Sequence, residues 1–542
     1  MEEKKANDIF KEFKEHSIAE FFKKNKQMLG YAGLVRSLVT VVHEYITNSI
    51  DACEEADILP DISVKLIQAG DNRYRVIVSD NGPGIPKKFV GRALATILAG
   101  TKFHRYIQQR GQQGIGASGC TLFSQVTTGK PVHVESRTAN GESYSCNVSI
   151  DTLHNKPIVT DLNGTDRATN GLTVDAEFAE VKYENSDHGV YEYIRRTALA
   201  NPHVQILFTD PEGKEYRFVR AVDSMPTRPK PTKPHPLGLS INDLLEFAHK
   251  SDSRKVSSFL MENFARVSQG KVEELRDIVG DMLDKDPGRL EWGDAEQLLN
   301  AIKKLKWMAP DPSVISAIGE EHIKLALKNI LNPDFMHVVE RKAALFYGGI
   351  PFVVEAAIAY GGAAGKKIEE DIYEGNVLRF ANRVPLLFDS GSCAITVAAK
   401  STQWKRYGID MESQPVSVFV NVSSVYIPYS GVGKEAIAQE DEIIDEIKLA
   451  LMEAARGVQR YIRGKQQLGL ETSKYRTIER YAKQLAKDVS TLTGTDGSEV
   501  EKKLETLISK HYPRASEGHS EEDDGDAEGS TGAAVSTATK EE

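Results

Sequence analysis

A chain of 542 residues is too long for one hydrophobic core and requires three or four domains, while 40% apolar and 27% charged residues exclude a fibrous or intrinsically disordered protein. With no run of eighteen apolar residues and no leader pattern at the start, neither a membrane span nor a secretory signal is expected. The net charge of −10 argues only weakly against a nucleic-acid partner: nine acids and one lysine from Ala515 to Glu542 place −8 in the tail, so −10 less −8 leaves −2 on the rest.

The first thirty residues mix basic and aromatic side chains, including Phe21, Phe22, Lys23, Lys24 and Lys26, and suit a peripheral helix or an arm that packs on a partner. From Leu34 to about Asp57 the spacing of Leu34, Leu38, Val41, Val42, Tyr45 and Ile46 predicts a helix. The strand Ile62–Leu66, a polar turn at Gly70-Asp71-Asn72 and the strand Tyr74–Ser79 follow. Helix and hairpin together begin an α+β layer, and alternating segments continue to about Val219. A proline-rich linker, Pro226–Pro236, leads to an all-helical section from Ser240 to about Trp307. A second α/β section begins near Lys342 and contains the apolar strand Val416–Val422. It ends in a long helix whose stripe is Ile444, Ile447, Leu451, Ala454, Val458 and Ile462. Beyond Pro513 the composition is that of a disordered acidic tail. Cys53, Cys120, Cys146 and Cys393 form no CxxC pair, which argues against a zinc site or disulfide framework and fits a reducing cytoplasm.

Three elements between Glu44 and Gly119 carry chemistry. Spacings of four and three put Glu44, Asn48 and Asp51 on one face of the first helix. There Glu44 could serve as a general base, and Asn48 could offer an oxygen to Mg²⁺; a solvated acidic face is the plain alternative. Next, Asp80 ends a strand in Ser79-Asp80-Asn81-Gly82-Pro83-Gly84, where its carboxylate could accept a hydrogen bond from adenine. Gly82 and Gly84 leave room for a planar base, although the same sequence also makes a good turn. Third, Gly100-Thr101-Lys102 precedes Arg110-Gly111-Gln112-Gln113-Gly114-Ile115-Gly116-Ala117-Ser118-Gly119, whose glycines suit amides facing phosphates at a helix N-terminus. The spacing is not the dinucleotide fingerprint.

In this order the three elements resemble the nucleotide-binding fold of the GHKL ATPases, the superfamily of gyrase B, heat-shock chaperones, histidine kinases and MutL. The resemblance implies ATP with Mg²⁺, Glu44 as base, Asn48 as metal ligand and Asp80 as adenine contact, with Asp51, Thr101, Lys102 and Gly111 to Gly119 around the nucleotide. The usual Gly-Thr supporting the aspartate has only Gly171-Leu172-Thr173 as a candidate. Its threonine is one place late, a shift that reverses its face in a strand.

Ala19-Glu-Phe-Phe-Lys-Lys-Asn25, Lys102-Phe-His-Arg105, Arg110–Gly116 and Arg379-Phe-Ala-Asn-Arg-Val-Pro385 further resemble the B subunits of archaeal-type DNA topoisomerase VI. That resemblance implies a strap over 1–30, a GHKL domain over 31–225, a helix-two-turn-helix domain over 226–308 and a transducer over 309–470. A helical extension over 471–513 and the tail over 514–542 complete the expected order. It also implies that Lys434, in Gly431-Val-Gly-Lys434, reaches the γ-phosphate. Two copies would dimerise on ATP and act on double-stranded DNA with a separate cleaving A subunit in an A₂B₂ assembly, without any membrane. A chaperone clamp on the same fold is the alternative. Lys250, Arg254, Lys255, Arg266 and Lys271 of the helical section suit phosphate contact or a solvated surface, and His235 sits in the linker without a ligand role.

Overall fold

The computed structural model describes residues 24–27, 30–99, 106–111, 114–369, 372–431, 433–494 and 496–511. The strap up to residue 23, Thr101, Lys102, Gln112, Gln113 and the tail over 514–542 lie outside the described residues. The chain forms two compact units, Met1–Gln459 and Arg460–Glu542.

In the first unit, helix α1 (Leu34–Glu55) buries Leu38, Val41, Val42, Tyr45, Ile46 and Ile50, the face the spacing predicts. It starts after Gly33 at φ +82° and ends ahead of Pro60, where Asp57 turns left-handed at φ +58°. Strands β1 (Asp61–Gly70) and β2 (Arg73–Asp80) pair antiparallel, Val64 opposite Val78 and Ile62 opposite Asp80. Alternation buries Tyr74, Val76 and Val78, and the same period of two carries Asp80 inward.

Helices α2 (Val90–Ala95), α3 (Gly116–Thr128) and α4 (Val190–Ala200) are interleaved with β3 (Val132–Arg137), β4 (Ser143–Asp151), β5 (Lys156–Asn163), β6 (Gly171–Ala179), β7 (Gln205–Thr209) and β8 (Glu215–Phe218). The eight strands lie in the order β5-β4-β3-β6-β2-β1-β7-β8, with β1 and β7 parallel. The four helices share one core with the sheet, centred on Ile46, Phe123, Phe178 and Phe208. The opposite face is polar: Arg75 Nε donates to Asp175 Oδ1 at 2.7 Å and Lys130 Nζ to Glu177 Oε2 at 2.6 Å. This is a two-layer α/β sandwich.

The helical section comprises α5 (Ile241–His249), α6 (Val256–Asn263), α7 (Gln269–Val279) and α8 (Trp292–Lys304), with its own core of Leu244, Phe259, Leu275 and Leu298. Ser240 and Asp243 cap α5 reciprocally. Lys250, Lys255 and Lys271 pair with Glu246, Asp284 and Glu274, and Arg266 donates to the Ala309 carbonyl. His235 is buried against the Trp307 edge, its Nε2 3.1 Å from the Met308 carbonyl.

The second α/β section begins earlier than Lys342, with α9 (Glu320–Leu331) and β9 (Phe335–Glu340). After β10 (Ala344–Phe346) and β11 (Ile350–Tyr360) come the small hairpin β12 (Lys366–Glu369) and β13 (Ile372–Glu374), then β14 (Asn376–Ala381) and β15 (Val384–Pro385). Helix α10 (Ala394–Ser401) and β16 (Val416–Ser424) complete it. β11 and β16 pair antiparallel and are buried almost throughout; both are largely apolar, and the buried Glu355 of β11 accepts from Asn421 of β16 at 2.8 Å, while β14 lies parallel to β16. Helix α11 (Asp441–Thr493) is anchored by Arg341, which donates to Glu446 at 2.7 Å and Glu453 at 2.9 Å. Gly457 presses on the His337 ring, where a side chain would overlap.

The long helix passes the transducer boundary expected at 470 and continues to Thr493, into the expected helical extension. Its apolar stripe stops at Ile462 while strong helix formers continue, and each of the interior glycines Gly457, Gly464 and Gly469 costs only about 1 kcal/mol. In the second unit, the end of α11 and α12 (Gly497–His511) bury Ala482, Ala486 and Ile508. Among the described residues no helix is long and apolar enough to cross a membrane, and all four cysteines are buried and free.

Candidate active site

A cavity of 690 Å³ opens between α1, the ends of β2 and β6, the start of α3 and the loop before α11. Glu44 and Asn48, one turn apart, both line it. Asp51 does not. Seven residues along α1 from Glu44, it is carried roughly 10 Å down the axis. It accepts from Arg110 Nη1 at 2.8 Å and lines a second cavity of 360 Å³.

Asp80 lies at the cavity wall, only 7% exposed. Its Oδ1 accepts from the amides of Gly82 at 3.0 Å and Leu172 at 3.1 Å, and its Oδ2 accepts from Ser49 Oγ at 2.8 Å. A carboxylate has about four acceptor positions, so among the described residues one remains for an incoming donor. Burial raises the Asp80 carboxyl above its ordinary value, while Ser49 and the two amides pull the other way.

Thr173 does not support this aspartate. It sits opposite Ser79 in the β2–β6 register, and its hydroxyl lies 2.8 Å from Ser79 Oγ and bonds to Arg167. Leu172 and Val174, on the other face of β6, line the cavity instead. Ser49, which sequence reasoning missed, supplies the hydroxyl; its position directly after Asn48 was the one available signal.

The glycines act by close approach. Gly84, at φ +70°, abuts the Arg137 carbonyl and lines the cavity. Gly82 lies beside Asp80 and Cys53, and is not among the lining residues. Gly111, Gly114, Ile115, Gly116, Ala117 and Ser118 line the cavity, the last three as the first turn of α3 with its unpaired amides. Gly119 turns away toward the Tyr31 hydroxyl. A side chain at Gly116 would overlap the Glu44 carboxylate, so the start of α3 and Glu44 are in van der Waals contact.

Lys434, at φ +54°, lines the same cavity although it lies 390 residues beyond Glu44. Its charge is felt at His43, whose pKa is lowered mainly by burial and further by Lys434, against the opposing pull of Glu44. His43 Nδ1 lies 2.9 Å from the Tyr193 hydroxyl, with Nε2 4.0 Å from Glu44 Oε1. Neighbouring Glu435 also lines the cavity; burial pushes its carboxyl up to about 7, against the pull of Arg36 and the Phe388 amide. His43, Glu435 and Arg110 were not identified as site residues from the sequence.

An acid and an amide on a helix, an aspartate ending a strand and a glycine-rich lid on a two-layer sandwich define an ATPase of the histidine kinase-, DNA gyrase B- and HSP90-like class, whose family model matches residues 33–152. The model of the topoisomerase VI B subunit transducer matches residues 310–474. The B subunit of type 2 DNA topoisomerase 6 from Methanothermobacter thermautotrophicus is 44% identical over 509 residues, covering 93% of this chain and 97% of the relative. That of Pyrococcus horikoshii is 41% identical over 551 residues, covering 93% and 96%. The chain belongs to the family of type 2 DNA topoisomerase 6 B subunits. The ATPase region of Saccharomyces cerevisiae topoisomerase II aligns at 12% identity with a TM-score of 0.38, covering 84% of this chain and 99% of that one, a likeness too distant to carry an argument.

Proposed function

We propose that this chain is the ATP-hydrolysing B subunit of a type II DNA topoisomerase, closing as a dimer around double-stranded DNA when ATP binds and reopening on hydrolysis. The observation that carries this reading is that Glu44, Asn48, Asp80, the lid glycines and Lys434 meet in one cavity. Adenine would donate its amine to the remaining acceptor position of Asp80, while Gly111, Gly114 and the first turn of α3 hold phosphate oxygens. Glu44 takes the proton of the attacking water. Lys434 would add a charge-assisted contact to the γ-phosphate, and hydrolysis, by removing that contact, would release the transducer loop.

Mg²⁺ fits as an ion carried by the nucleotide. Among the described residues no cluster of three or more His, Cys, Asp or Glu could hold a metal, whereas Asn48, whose side chain has one amide oxygen, lines the cavity. Mg²⁺ commonly takes one or two protein oxygens together with substrate phosphates and water, and bound there it would neutralise phosphate charge. A separate A subunit would cut and reseal DNA in an A₂B₂ assembly, and the four free thiols suit a cytoplasmic setting. Membership of the topoisomerase family favours this reading over a chaperone clamp.

The test is steady-state ATP turnover of Glu44→Ala and Lys434→Ala, with DNA relaxation after adding an A subunit. Both variants lose turnover and relaxation; wild-type turnover in both removes the mechanism.

A further inference from the structure

Glu44 has a titratable neighbour at the cavity wall. His43, the residue before it on α1, lines the same space and its side chain is 25% exposed. Consecutive helix positions point about 100° apart, so His43 reaches the Glu44 carboxylate only if something turns it there. Tyr193 of α4 does so: His43 Nδ1 lies 2.9 Å from its hydroxyl, and the two rings meet edge-on at 5.5 Å. Tyr193 is 2% exposed, so the core holds this partner in place. The imidazole is thereby aimed with Nε2 toward Glu44 Oε1, 4.0 Å away.

The hydrogen-bond network sets where the ring proton sits. Burial pushes the Tyr193 hydroxyl up to about 12, and Thr47, one turn along α1 from His43, opposes this as a donor to the phenol oxygen. The Tyr193 proton is then left for Nδ1, which places the imidazole's own proton on Nε2, facing a carboxylate. The other tautomer would set a ring lone pair against Glu44. Burial lowers the His43 pKa below 6.5 and Lys434 lowers it further, while Glu44 and Asp51 pull it up, so at neutral pH the ring is an uncharged donor.

The two oxygens of Glu44 have different neighbours. Oε1 faces His43, whereas Oε2 is the atom that a side chain at Gly116 would meet first, where the bare amides of α3 begin. The gap from Nε2 to Oε1 is roughly 1 Å longer than a direct bond, and a small rotation of Glu44 or one bridging water spans it.

We propose that His43 is a positioning residue whose neutral imidazole, turned by Tyr193, donates from Nε2 to Glu44 Oε1 and leaves Oε2 to take the proton of the attacking water. That proton passes to Oε2 as the water oxygen bonds the γ-phosphorus and the bond to the bridging oxygen breaks, its electron pair leaving with ADP. His43 exchanges no proton in the step. The inference rests on the reading of Glu44 as the general base. An imidazolium would instead pair with the carboxylate and hold its basicity down, so turnover falls as pH drops through the His43 pKa. The titratable groups that reach His43 are Glu44 and Asp51 of its own helix, Tyr193 of α4 and Lys434 of the loop before α11.

The test measures kcat and KM for ATP across pH in the full-length chain carrying His43→Gln, His43→Phe, Tyr193→Phe or the last two together. Glutamine keeps an N–H donor near the place of Nε2 and takes up no proton; phenylalanine keeps the ring without the donor. His43→Phe loses roughly tenfold in kcat with KM within about twofold, because the base is present but no longer aimed. His43→Gln keeps kcat within about threefold at neutral pH, and its acid limb lies at lower pH than that of wild type. Tyr193→Phe loses roughly threefold, and adding it to His43→Phe costs nothing more. Wild-type kcat in His43→Phe, equal losses in His43→Phe and His43→Gln, or an unmoved acid limb in His43→Gln overturns the proposal. If His43→Phe fails to fold, the pH profile of His43→Gln decides alone. Wild-type turnover in Glu44→Ala sinks the reading of Glu44 as base; an inactive Glu44→Ala beside an unimpaired His43→Phe sinks only the role of His43.

Discussion

Replacing Ser49 by alanine isolates one bond in the cavity. The Ser49 hydroxyl donates to Asp80 Oδ2 at 2.8 Å, and Asp80 is buried, so no solvent replaces the lost donor. A hydrogen bond to a charged partner is worth about 1.5–3 kcal/mol, and the lower end alone is roughly tenfold in affinity. Burial already raises the Asp80 carboxyl, with Ser49 the largest opposing influence, so removing the hydroxyl raises it further. Three acceptor positions of Asp80 are already taken, so protonation puts an O–H where an adenine amine would donate and weakens the contact. ATP affinity therefore falls as pH drops through the Asp80 pKa, and in Ser49→Ala this fall begins at higher pH. The expected result is KM for ATP up roughly tenfold at neutral pH with kcat within about threefold, since Glu44 and Lys434 are untouched. Ser49→Thr retains the hydroxyl and restores KM. Steady-state ATPase assays across pH decide it: an unchanged KM with a pH profile superimposed on wild type refutes the reasoning.

Gly116→Ala places a methyl group on the Glu44 carboxylate, which must swing aside; kcat falls roughly a hundredfold while circular dichroism stays that of wild type, and near-normal turnover contradicts the contact. Gly171 sits at φ +131° against the Asp80 carbonyl, so Gly171→Ala costs on the order of 2 kcal/mol and lowers the melting temperature; an unshifted melt counts against the strain. The folded chain keeps the Glu435 proton up to about 7, whereas an unfolded carboxyl releases it near 4.5, so wild-type stability falls as pH rises through that window. Glu435→Gln removes this loss, and its melting temperature gains on wild type between pH 5 and 8 by the equivalent of on the order of 2 kcal/mol; a pH-independent difference refutes the assignment.

Much of this cavity was legible because it is built from local periods. A spacing of four put Glu44 and Asn48 together, and a period of two carried Asp80 inward behind Tyr74, Val76 and Val78. Gly111, Gly114 and Gly116 stood out because glycines ahead of a helix suit amides left bare at its start, and all three line the cavity. Asp51 shows where such reasoning ends. Helical angle alone aligns it with Glu44, yet rise along the axis removes it from the cavity, and its partner Arg110 lies in a segment that no local rule connects to it.

The same limit separates Ser49 from Thr173. A strand position fixes which face a side chain takes, and that was enough to make Thr173 doubtful beside Asp80; it could not say that the hydroxyl would come from α1 across the layer instead. Lys434 lies further still along this scale. Its loop has no periodic signature, and a lysine after glycines fits many turns, so only resemblance to a family directed attention to it. Its presence beside Glu44 depends on how the second α/β section sits against the first. The contacts that hold that seat, from Asn382 and Arg383 to Gln109 and Asn201, join residues that each look like ordinary turn or loop polar groups in sequence. Residues placed in the cavity by the period of one element were therefore readable, whereas those that bring two elements together had to be found in the fold.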